Sequence, residues 1–358
     1  MTAWSKSTKE FEGELAAGGS PKRMRSSRNY FARTSQRDAG MLSRVADGLY
    51  WMSRYLERAA QTARLVDVEF QLWLDQTPET AAQRWKFLFE ALRIPPPQGV
   101  VDPARLLNSL VFSRTNASSI VSCISTAREN LRHVREQCSS EMWEQLNRLY
   151  LEAVATWPEE AWMQKSHAFF HAVQEGAHLF QGVTDGTMSH GEGWQFIQLG
   201  RYVERTDALA ALMEAHFKRV ARPADQAVES AEYLEWVGLL RACLAFEAYC
   251  KVYTAEIRPL RVAEFLLLNA DFPHSVRFSV DRVNAALQTI GDLTERREKL
   301  TTRIAGRLRA HLSYSQIEEV LAEGSHAYLE NVRSECSQIH TAIHQIYFDY
   351  SIESELAS

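Results

Sequence analysis

The sequence has no run of about 18 apolar residues, the length that a membrane-spanning helix needs, and its N-terminus has no continuous apolar segment of signal-peptide type. A soluble, cytoplasmic protein without membrane association is the expectation. Cysteine is scarce. The five residues Cys123, Cys138, Cys243, Cys250 and Cys336 show no Cys-x-x-Cys spacing, and an odd number cannot all pair. They read as reduced thiols buried as small hydrophobes. A Gly-rich phosphate loop, a Gly-x-Ser-x-Gly elbow, a His-Glu-x-x-His pair and a dinucleotide fingerprint are also missing. Their absence disfavours a self-sufficient ATP-dependent ligase, and no cofactor is implied. Positive charge is short as well. Residues 1–40 hold eight Lys/Arg against four Asp/Glu, which leaves 32 basic and 41 acidic residues from Met41 onward. Without a basic surplus in the body, no nucleic-acid partner is expected.

What is present divides at Met41. Residues 1–40 combine Gly18-Gly19-Ser20 with the basic run Lys22-Arg23-Met24-Arg25 and few aliphatic side chains. Such a segment cannot offset the entropy of ordering and reads as a flexible arm. A start codon assigned too far upstream would give the same pattern. From Met41 onward the 3.6-residue period dominates, and alternating patterns never outcompete it. Glycine is sparse, and Pro78, Pro95-Pro96-Pro97, Pro103, Pro158, Pro223, Pro259 and Pro273 fall where helices start or stop. Capping boxes stand at Ser189-His190-Gly191-Glu192 and Ser315-Gln316-Ile317-Glu318. The spacing predicts helices over 41–75, 79–93, 103–112, 116–137, 140–156, 159–183, 190–220, 230–256, 260–268, 274–290, 293–312 and 316–350. The fold class is all-α, a multi-helix bundle over residues 41–350 with a short tail at 351–358.

One block occurs twice: Arg54-Tyr55-Leu56-Glu57-Arg58 and, 147 residues later, Arg201-Tyr202-Val203-Glu204-Arg205. Leu49, Met52, Leu56 and Ala63 correspond to Phe196, Leu199, Val203 and Ala210, so an apolar stripe repeats with the charges. Duplication of one unit into two pseudo-repeated lobes follows as an expectation. In the first copy, Arg54, Glu57 and Arg58 share a helix sector with Asp47, Tyr50 and Gln61, the pattern of a solvated salt-bridged face. In the second copy the same sector holds Trp194, Ile197 and Ala208, so that helix reads as buried all round. Charges there must be paired or must face a polar cavity.

Two readings follow. The blocks form an inter-helix network that fixes register, or Arg54, Glu57, Arg58, Arg201, Glu204 and Arg205 line a cleft for an anionic small molecule or peptide group, extended by Arg128. Arg128, Arg132 and Arg135 otherwise read as surface charge. Glu57 and Glu204 would serve as general bases only if burial raised their pKa, and the flanking arginines oppose that. His167, His171, Glu175 and His178 share a face and include a Glu-x-x-His pattern, but the second such pattern that a dimetal bundle requires is missing. Cys336, His340 and His344 form a weaker stripe. No metal is expected at either.

Several blocks in order carry a resemblance. They are Met41-Leu42-Ser43-Arg44, Leu49-Tyr50-Trp51 and Arg54 to Arg58, then Ala127-Arg128-Glu129-Asn130 with Trp143 and Asn147. Gly193-Trp194-Gln195-Phe196, Gly200-Arg201, Trp236, Glu247-Ala248-Tyr249, Phe265 to Leu268 and Phe272-Pro273-His274-Ser275 follow. Together they resemble the bacterial alpha-E proteins over essentially all of 41–350. The resemblance implies an all-helical protein encoded beside, or fused to, a circularly permuted ATP-grasp-like protein, often with transglutaminase-like neighbours. It implies no assigned activity. The expected function is an auxiliary or binding component of a peptide or amide ligase system, with a helical enzyme of peptide or amide-bond chemistry as the alternative.

Overall fold

The helical period is realised throughout the computed structural model, which describes residues 41–73, 78–95, 103–155, 159–219, 230–254, 256–294, 299–322 and 324–349. The arm expected at 1–40 and the tail at 351–358 lie outside these residues. Among the described residues there are fourteen α-helices and no strand. The first half holds α1 (Ser43–Trp73), α2 (Pro78–Leu92), α3 (Pro103–Val111), α4 (Ile120–His133), α5 (Ser140–Val154) and α6 (Glu159–Thr187). The second holds α7 (Glu192–Arg219), α8 (Ser230–Ala242), α9 (Phe246–Tyr253), α10 (Pro259–Leu268), α11 (Val276–Thr294), α12 (Lys299–Tyr314), α13 (Ile317–Ala322) and α14 (Ser325–Ile343).

Helices α1, α4, α5 and α6 pack in a ring, as do α7, α11, α12 and α14, and the rings are fused along α1 and α7. The surroundings of α1 and α7 are thus alike, but the two separate lobes expected from the repeated block are not found, since the chain from Met41 onward holds together as one unit. The N-termini of α4 and α11 repeat a device too. Ser119 and Ser275 each donate to a carbonyl six residues earlier, and each accepts the backbone N–H three residues later. That closes the first turn of both helices in the same way.

Helices α1 and α7 run side by side in one direction, from the Met41 N–H on Glu192 to Arg205 on Glu57. Their closest approach uses equivalent positions of the two blocks. Ser53 Oγ donates to the Ile197 carbonyl at 2.7 Å, and at Gly200 a Cβ would sit 2.2 Å from the Tyr50 carbonyl oxygen. Only glycine permits that approach. Because the second ring presses on the polar sector of α1, Tyr50, Arg54 and Glu57 are buried there. The solvated face read for the first copy is thus a buried one, and α7 is buried nearly all round as its sequence requires.

Two breaks differ from the sequence reading. Helix 230–256 is split at Leu244, whose φ is 54°, and helix 316–350 is split at Gly324, whose φ is 100°. The last helix also relaxes into a π-helical turn at His344–Phe348, where His344 and Phe348 pack on Tyr50. All five cysteines are free thiols, with Cys123, Cys243 and Cys336 buried.

Candidate functional site

The helical repeat puts Tyr50, Arg54, Glu57, Arg58 and Gln61 on the face of α1 that meets α7. There the two blocks cross-pair. Glu204 receives Arg54 Nε at 2.8 Å and Arg58 Nε and Nη2 at 2.6 and 3.0 Å. Glu57 receives Arg205 Nε and Nη2 at 2.8 and 3.0 Å, with Gln61 and Gln181 completing its shell. Arg205 Nη1 is fixed by the Pro273 carbonyl at 2.9 Å. Each glutamate thus answers the arginine that follows the other glutamate, which is the inter-helix network anticipated from the sequence.

The symmetry is incomplete at the leading arginines. Arg54 is paired, whereas Arg201, 8% exposed, lies over the Tyr202 ring at 5.4 Å with no hydrogen bond or ion pair among the described residues. In the position where Arg201 would mirror Arg54, Glu57 is occupied by Gln61 of its own helix and Gln181 of α6. Arg128 directs its donors to Asn147 and Glu129 and stacks on Trp143 and Tyr150, so its contacts belong to α4 and α5. The structure brings together five of the seven residues singled out from sequence.

Electrostatics fix the protonation of the network. Burial disfavours the Glu57 carboxylate, but the Arg205 guanidinium outweighs it and, with Arg64, holds Glu57 well below the usual carboxylate range. Glu204 is likewise held low by Arg54 and Arg58 against its burial. Both are committed anions and unsuited to take protons at neutral pH. Burial pushes the Tyr50 phenol up to about 12, so it keeps its proton. Its oxygen accepts Arg54 Nη1 at 3.3 Å and is hydrogen-bonded with His340 Nδ1 at 2.9 Å. His340, pushed down to about 4 by burial and by Arg54, is neutral at neutral pH.

Arg54 also forms the floor of a polar cleft of about 370 Å³ between α1, α7 and α14. Arg93 and Arg333 join it, with Asp207, Glu330, Ser334, Ser337 and His340. Arg54 Nη2 has no hydrogen bond among the described residues. Arg93 follows the end of α2 with φ 55°, a left-handed position where glycine is usual, and its guanidinium reaches Asp207. Arg333 bridges Asp207 at 3.6 Å and Glu214 at 2.7 Å. Sequence reasoning missed Arg93, Asp207 and Arg333. Nothing in the local text joins them, since α14 reaches the site from more than 270 residues beyond Arg54.

The histidines of α6 go elsewhere. His167 pairs with Asp67 at 2.9 Å and His171 with Glu175 at 3.4 Å, while His178 feels Arg64 and Arg205 as well as Glu57. Among the described residues no group of three His, Cys, Asp or Glu side chains could hold a metal ion, and no helix is long and apolar enough to cross a membrane.

Residues 41–348 match a family described as a predicted alpha-helical domain with a conserved ER motif. Glu-Arg pairs stand here at 57–58, 204–205 and 295–296; the first two supply the four residues that anchor the cross-paired network, and the third lies outside the described residues. The chain is similar, at 25% identity over 327 residues, to uncharacterised proteins of Mycobacterium bovis and Mycobacterium tuberculosis. The match covers 84% of this chain and 35% of each relative, so the chain spans about a third of the length of these curated relatives. No solved structure matches.

Proposed function

The chain belongs to the Alpha-E family, and from that membership we propose that it is a non-catalytic helical component of a peptide or amide ligase system. It holds an anionic group, such as a peptide carboxylate, in the cleft floored by Arg54. The partner is a circularly permuted ATP-grasp-like protein, as the resemblance of the sequence implies. Longer relatives, in which this domain is about a third of the chain, support a domain that works beside others. The observation that carries the binding role is the cleft itself: three guanidinium groups around about 370 Å³, one of them fixed from behind by Glu204 and Tyr50. A site held in place this way loses little entropy on binding. The enzyme alternative has weaker support, because Glu57 and Glu204 are locked as anions by their arginines.

Arg93→Gly tests the proposal. Glycine relieves the left-handed strain, so stability should be unchanged or slightly raised. Loss of the guanidinium should weaken binding of glutamate-terminated dipeptides in calorimetric titration, and weaken co-purification with the ATP-grasp-like partner. If the variant binds both as well as the parent does, the cleft is not the site.

A further inference from the structure

A second cavity shares no lining residue with the cleft. It measures about 50 Å³ and is lined by Gln61, Arg64, Arg205, Cys243 and His274 together with apolar side chains such as Leu65 and Leu212. No carboxylate lines it. Arg64 is 4% exposed and has no hydrogen bond or ion pair among the described residues, and its Nε is buried without a partner. An isolated buried guanidinium is costly, and proteins pair such charges or supply a counterion. The nearest candidate does not serve. Glu57 is taken by Arg205, with both carboxylate oxygens engaged. Arg64 and Arg205 against Glu57 leave one surplus positive charge at the cavity. His274 adds no further charge, because burial and the two arginines hold it neutral, yet its ring can still donate one hydrogen bond.

We propose that this cavity is a binding site for a small monoanionic carboxylate, with Arg64 as its counterion and His274 as a second donor. The size suits a carboxylate on a short aliphatic stem, and the apolar walls favour the stem over a fully hydrated oxyanion. A free phosphate shares the charge recognition but not the fit to Leu65 and Leu212. The reading does not depend on the cleft or on the ligase partner.

The test is thermal denaturation and calorimetric titration of the full chain with sodium acetate, propionate, phosphate and chloride at constant ionic strength. Acetate and propionate should raise the melting temperature saturably, more than phosphate does, while chloride leaves it flat. Arg64→Met removes the charge and should weaken carboxylate binding by about tenfold or more, and in anion-free buffer it should melt no lower than the parent. Ala208 also lines the cavity, and Ala208→Leu keeps Arg64 while filling the space, so it should lose the carboxylate response even if the Arg64 variant fails to fold. Equal effects of all four salts would mean that water alone solvates Arg64, and the proposal would fall. A carboxylate response that survives both substitutions, or one larger for phosphate than for carboxylates, would also overturn it.

Discussion

At the scale of single residues, the two glutamates carry the most consequence, because each is the sole carboxylate answering buried arginines. Glu204→Ala strands Arg54 and Arg58, and Glu57→Ala strands Arg205. Each should lower unfolding free energy by roughly 3–5 kcal/mol, with the glutamine variants costing less because an amide oxygen still accepts. A solvated face, as the first copy reads in sequence, would make its glutamate the less costly to lose. Arg205 on Glu57 is 5% exposed and Arg54 on Glu204 is 8% exposed, so the first-copy glutamate also answers a buried arginine and its loss should be severe too. Urea titration of the four variants decides the order. Histidines set the acid response. Burial lowers the pKa of His216, His274, His178 and His340, the last to about 4. Between the ordinary histidine value of 6.5 and about 4, the unfolded chain binds protons that the folded chain refuses. Stability should therefore fall as pH drops through that window. Below the ordinary carboxylate value of 4.5, Glu57 and Glu204 add a further loss, since their folded pKa values are depressed. His216→Phe, set among Phe87, Phe217 and Trp236, should flatten the first part of the profile. An unchanged slope between pH 6.5 and 4 would contradict the assignment of His216.

At the scale of helices, the decisive contact is the approach of α7 to α1 at Gly200. A methyl group there meets a backbone carbonyl that cannot move without displacing α1. Gly200→Ala should thus cost about 3 kcal/mol or more, whereas Gly186→Ala, where nothing stands within 4 Å, should gain slightly from its better helix propensity. Comparing the two melting temperatures isolates packing from propensity. Most helices were legible because their ends are written in proline and capping residues: Pro78, Pro103 and Pro259 each open a helix where expected. The break at Gly324 had a visible signal that the surrounding period masked. The break at Leu244 had none, since neither glycine nor proline marks it and tertiary packing alone holds its left-handed backbone. The matched caps at Ser119 and Ser275 went unread for another reason: a single serine is too little text to reveal a repeat.

At the scale of the whole molecule, the fused rings predict interdependence. Fragments 41–190 and 191–349 each contain one ring, but each would expose one half of the cross-paired charges and the apolar surface around them. Neither should melt cooperatively alone, and mixing them should restore a cooperative transition, as circular dichroism and gel filtration can show. The charged core of this arrangement was legible because it is written twice. The cleft and the Arg64 cavity were not, because both join side chains from remote helices, and Arg64 in sequence looks like any helical arginine. The pairing of Glu57 with Arg205 also has a consequence in time. The two residues are 148 positions apart, and at synthesis rates of ~5–20 residues per second the ribosome needs roughly 7–30 s to make the distance. During that interval α1 has emerged with its glutamate and arginines unmatched, on a face that must later be dry. The nascent chain therefore waits, half-made, for α7, and chaperone dependence should end only once residues beyond Arg205 have left the exit tunnel.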